Sequence, residues 1–133
     1  MYKYLNVHPK GKVVGDCTKR AITKVENRDY MEVQRDLNRL KKETGCNVYN
    51  DRKNLEAYIK KHSYLKLSFP AVKGEPRMNG ERFCKAYPKG RYILNMAGHW
   101  SCCIDGVIYD LWDCSEKCVY TAYKYVPIQM LKK

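Results

Sequence analysis

Three side chains of this sequence have the types a nucleophilic site needs: Cys17, His99 and Asp110. A thiolate can attack a carbonyl carbon, an imidazole can take and return the proton, and a carboxylate can fix the imidazole orientation. The stretch from Gly98 to Asp113 reads as a β-hairpin, because Asp105-Gly106 separates two runs of β-formers and suits a two-residue type I′ turn. Counting outward from that turn sets Ile104 opposite Val107, Cys103 opposite Ile108, Cys102 opposite Tyr109 and Ser101 opposite Asp110. Trp100 and His99 then fall opposite Leu111 and Trp112. Side chains alternate faces along a strand. His99, Ser101 and Cys103 therefore share a face with Ile108, Asp110 and Trp112. Asp110 lies diagonally from His99, within polar reach. Asp113 points the other way unless a bulge shifts the register, and is the alternative orienter.

The nucleophile is sought upstream. Asp16 suits an N-cap, with a helix starting at Cys17 and Ala21, Ile22 and Val25 as its apolar face. In a first helical turn the free N–H groups and the helix dipole favour a thiolate. The same N–H groups can hold an oxyanion. None of the other six cysteines (Cys46, Cys84, Cys102, Cys103, Cys114, Cys118) has such a setting. Seven is an odd number, and Met1 to Asn6 leads into no apolar export segment. A disulfide framework is therefore not expected, and a cytoplasmic location is. Cys114-x3-Cys118 lacks the paired C-x2-C knuckles of structural zinc sites, and Cys102 and Cys103 point to opposite faces. No metal is expected, and the chemistry calls for no cofactor.

These residues need a frame. Residues 2–7 read as a short strand or extended arm. Asp29 and Gly45 bracket a helix from Tyr30 to Thr44. A third helix opens at Asn50 or Asp51 and runs to His62, and Leu65 to Phe69 suits a strand. Asn79 caps a short helix over Gly80 to Tyr87. Arg91 to Met96 and Val119 to Tyr125 read as further strands. Helices first and an antiparallel sheet after them argue an α+β fold, with one domain over residues 1–133. Trp100 and Trp112 are expected in the core or as shielding of the imidazole. The net charge of +12 would admit a nucleic-acid partner, but no nucleic-acid signature accompanies it, and that reading is not favoured. No apolar run approaches the roughly 18 residues a membrane helix requires, so no membrane partner is expected.

The order Cys17 in Gly-Asp-Cys, His99 in Gly-His-Trp and Asp110 in Tyr-Asp-Leu resembles that of the papain-like cysteine peptidase superfamily. More narrowly, Gly15 to Ile22 and Pro88 to Asp113 are similar to segments of small phage and prophage proteins. The resemblance implies a papain-like fold, with N-terminal helices packed on a four- to five-stranded antiparallel sheet. It implies a cysteine hydrolase that cleaves a peptide or isopeptide bond through a Cys17–His99–Asp110 triad, with a peptide or protein substrate. A phage origin would put it in the host cytoplasm. Many members carry a glutamine oxyanion donor six residues before the cysteine, where this chain has Gly11. The nearest upstream amide is Asn6, the candidate second donor. The alternative is a weak or inactive scaffold that binds a host protein or nucleic acid.

Overall fold

The computed structural model describes residues 1–127. Among them are four helices and six strands, in the order β1 (Tyr2–Tyr4), α1 (Cys17–Glu26), α2 (Tyr30–Thr44), α3 (Arg52–Lys61), β2 (Tyr64–Ser68), α4 (Gly80–Ala86), β3 (Arg91–Met96), β4 (His99–Ile104), β5 (Val107–Asp110) and β6 (Val119–Tyr125). The chain is α+β. Local chemistry sets the helix ends. The Asp29 carboxylate accepts the N–H groups of Met31 and Glu32, Asp51 accepts that of Lys53, and Asn79 accepts that of Arg82. Gly45, at φ 74°, ends α2 in the left-handed conformation glycine adopts without penalty.

The strands form one sheet in the order β1-β5-β4-β3-β6-β2. This corrects the expected four- to five-stranded antiparallel sheet. The sheet has six strands and is mixed, because β1 joins β5 in parallel, with Tyr2 beside Ile108 and Tyr4 beside Asp110. The other pairings are antiparallel. Helices α1, α2 and α3 cover one face, burying Ile22, Val25, Val33, Leu37 and Tyr58 against Ile93, Cys102 and Tyr123. Phe83 and Cys84 of α4 pack on the other face with Tyr92, Leu94, Cys103, Ile108 and Ala122. The alternation along β3 and β4 explains the division, since odd and even positions feed opposite cores. No helix among the described residues is long and apolar enough to cross a membrane.

The Asp105-Gly106 turn has φ 48° and 76°, as a type I′ turn requires. The ladder beside it pairs Cys103 with Ile108 and Ile104 with Val107, in the expected register. It stops there. The expected pairings of Trp100 with Leu111 and His99 with Trp112 do not form, because β5 ends at Asp110 and Leu111-Trp112 bend away. Side chains join the strands beyond the ladder: Ser101 Oγ donates to Asp110 Oδ2 at 2.6 Å and Cys102 Sγ to the Tyr109 carbonyl at 3.4 Å.

Candidate active site

Each of the three candidate side chains sits at the end of an element. Cys17 opens α1, His99 opens β4 and Asp110 closes β5. The Ala97-Gly98 turn delivers His99 to its place, with Gly98 at φ 63°. His99 Nε2 lies 2.7 Å from Asp110 Oδ2. That leaves Nδ1 as the nitrogen free for a second partner. Cys17 stands beside the imidazole, and the two side chains line the same two surface depressions. Trp112 covers the imidazole, with ring centroids 5.1 Å apart. Trp100 instead donates its indole N–H to Asn95 Oδ1 at 3.1 Å and packs on Tyr123.

The electrostatics of the three groups agree. Burial pushes the Cys17 thiol up, but the bonds from His99 and the Trp100 backbone outweigh it, helped by the charges of His99 and Arg20. The thiol lies below its ordinary value. Burial opposes the charge on His99, yet bonds to Asp110, Cys114 and Cys17 push the imidazole up to about 11. Burial also opposes the Asp110 charge, and the bonds from His99, Ser101 and the Leu111 N–H hold its carboxyl below the usual carboxylate range. All three shifts run in the direction that favours the charged form of each group.

Several side chains stand elsewhere than the sequence suggested. Asp16 does not cap α1. Its carboxylate turns inward to the Arg20 guanidinium and takes a hydrogen bond from Tyr30 Oη at 2.7 Å. The first-turn N–H groups of α1 therefore have no side-chain cap. Asn6 does not face Cys17. Its amide donates to the Lys12 carbonyl at 3.1 Å and its oxygen accepts the His8 N–H, so it ties its own loop together. Asp113, the alternative orienter, instead points away from His99 as its strand position predicts, and accepts the Ser115 N–H at 3.0 Å.

Three participants escaped the sequence reading. Arg20 contacts Asp110 as well as Asp16, with its Nη2 3.5 Å from Asp110 Oδ1. Its spacing of four residues from Asp16 on one helix was the available signal. Ser101 was placed on the correct face but given no role. Cys114 donates its Sγ proton to Asp110 Oδ2 at 3.5 Å, and no local pattern announces that contact. The donor atoms of His99, Asp110 and Cys114 lie within 4.8 Å of one another, a set that could hold a borderline metal such as zinc. The short His99–Asp110 separation fits a hydrogen bond better than two ligands of one ion.

Two open depressions of about 590 and 630 Å³ meet at this point and share Cys17, His99 and Asn50. Val13, Val14, Leu111 and Trp112 line the first, and Asn95, Met96, Trp100 and Tyr120 are among those lining the second. Fold and site together define an α+β chain bearing a thiol, an imidazole and a carboxylate in series. No protein-family model, curated protein or solved structure matches it.

Proposed function

We propose that this chain is a papain-like cysteine hydrolase acting on an amide bond, peptide or isopeptide. One observation carries the reading. A thiol at an uncapped helix start lines the same two depressions as an imidazole that is held by a buried carboxylate. In this mechanism the Cys17 thiolate adds to the carbonyl carbon. The Cys17 N–H donates to the resulting oxyanion. The His99 imidazolium gives its proton to the leaving nitrogen as the C–N bond breaks, leaving a thioester. His99 then takes a proton from water, whose oxygen attacks the thioester and releases the acid and the thiolate. Asp110 keeps its charge throughout and holds the ring. The two depressions on either side of Cys17 would receive the acyl and leaving parts of an extended substrate.

A second reading is a binding protein for another protein or a nucleic acid on the same scaffold. The engagement of Asn6 with Lys12, which leaves no upstream amide at the thiol, favours it, as does the charge of +12.

The test is alkylation of the native protein with iodoacetamide across pH, read residue by residue by mass spectrometry. Cys17 should react well below the usual thiol range and ahead of every other cysteine. Incubation with p-nitrophenyl acetate should then give an acetyl adduct on Cys17 that decays with time, and none in Cys17→Ala. A Cys17 no faster than Cys46 or Cys118 would sink the hydrolase reading, and a stable adduct would favour the binding protein.

A further inference from the structure

The hydrogen bonds that hold the imidazole and carboxylate do not explain why a buried cation sits behind them. Arg20 is only 9% exposed, and the carboxylates it touches are buried further, Asp16 at 1% and Asp110 at 4%. Its Nη1 bonds Asp16 Oδ1, and its Nη2 reaches Asp110 Oδ1 at 3.5 Å. Nη1 also approaches the Val14 carbonyl at 3.5 Å. Tyr30, from α2, completes the Asp16 carboxylate through its hydroxyl. Asp16 directly precedes Cys17, and Asp110 directly holds His99. A planar guanidinium presents donors from separate nitrogens in a rigid plane and so holds two carboxylates at a fixed separation, whereas an ammonium carries its donors on a single atom at the end of a flexible stem.

We propose that Arg20 is a positioning residue: by bridging Asp16 and Asp110 it fixes the start of α1 relative to the His99–Asp110 pair. It thereby sets the approach of the Cys17 thiol to the imidazole. The arrangement also accounts for the missing cap. A side chain at Asp16 that capped α1 would leave Arg20 facing Asp110 alone and would block the N–H groups the oxyanion needs. Turned inward, it frees the helix start and anchors it. This inference rests on the hydrolase reading of the same site.

The experiment is the pH profile of Cys17 alkylation in wild type, Arg20→Lys and the double variant Asp16→Asn/Arg20→Met. The double variant removes both charges, so it leaves no buried carboxylate unpaired at Asp16. Arg20→Lys keeps a cation in place as a second route to a folded protein, and circular dichroism identifies the folded variants. The double variant should shift the profile upward and lower the rate at pH 6 by about threefold or more, equivalent to half a pKa unit. Arg20→Lys should fall between, because it restores the charge without the span. A folded double variant that follows the wild-type profile would overturn the proposal. Full recovery by lysine would also overturn it, since charge alone would then suffice. If wild-type Cys17 shows no depressed profile at all, the hydrolase reading fails first and the bridge falls with it.

Discussion

Asp110 Oδ2 collects both the His99 ring nitrogen, at 2.7 Å, and the Ser101 hydroxyl, at 2.6 Å, although β4 and β5 share no ladder bond at that level. The carboxylate thus does in side-chain bonds what the backbone pairing stops doing after Cys103 and Ile108. Its second oxygen accepts the Leu111 N–H at 2.7 Å and faces Arg20.

Replacing it should therefore harm stability and reactivity together. Asp110→Ala leaves Ser101 and His99 without their shared acceptor and Arg20 with Asp16 alone, and a loss of about 3 kcal/mol is expected, read by urea unfolding. Asp110→Asn keeps the shape and should unfold later than Asp110→Ala. In both, the Cys17 alkylation profile should move toward the ordinary thiol range. A wild-type profile in Asp110→Asn would show that the imidazole needs no carboxylate.

The raised value of His99 makes a pH-dependent contribution to folding with a defined sign. A cationic group held more tightly when folded stabilises fully below its ordinary value of 6.5, and that stabilisation declines as the pH rises toward about 11. The urea midpoint of Cys17→Ser, which keeps the imidazole and carboxylate without the thiolate, should exceed that of Cys17→Ser/His99→Gln by most near pH 6. The gap should narrow by pH 9. A gap that widens with pH would mean the imidazole is neutral in the folded chain.

The remaining thiols should divide by burial. Burial pushes Cys102 up to about 12, and Cys103 is raised by its contact with Cys84, whose Sγ is 3.6 Å away, and by burial. Neither should label with iodoacetamide in native protein at pH 8, and both should label in denaturant. Native labelling of Cys102 at the rate of Cys46 would indicate that β4 opens locally.

Gly80 should not accept a side chain. An added Cβ would stand 2.8 Å from Ile108 Cδ1 and 2.9 Å from the Cα of Ser115, and the second neighbour is backbone. Gly80→Ala is expected to cost roughly 1–3 kcal/mol by overpacking, measured by urea unfolding. An unchanged midpoint would mean that the segment around Ser115 gives way freely.

The parts of this molecule legible from sequence are those set by local chemistry. The Asp105-Gly106 turn carries its register in two residues, and counting from it put Asp110 on the face of His99 and Asp113 away from it. Asp29 and Asn79 announce helix starts that their side chains do cap, and of the two candidates Asn50 and Asp51 it is Asp51 that caps α3. Long-range choices were not legible. Nothing in Tyr2–Tyr4 states that it pairs with Ile108–Asp110, since the partner lies over a hundred residues away. Asp16 matched the capping pattern just as Asp29 did. What turned it inward was a buried guanidinium one turn later and a tyrosine hydroxyl from α2, neither of which capping preference takes into account.

The short strand β1 has a consequence for the protein in concentrated solution. Without it, β5 would be the outermost strand, with the Ile108 N–H and the Asp110 carbonyl exposed as a template for a strand of another chain. The Met1 carbonyl accepts that N–H at 3.0 Å, and the Leu5 N–H donates to that carbonyl at 2.9 Å. The sheet margin is thereby moved to three residues with Lys3 at their centre. At the opposite margin, β2 carries Lys66 at its middle. Both margins are short and bear a lysine, features that discourage edge-to-edge association, so strand addition by a second copy is kept away from the strand that orients the imidazole.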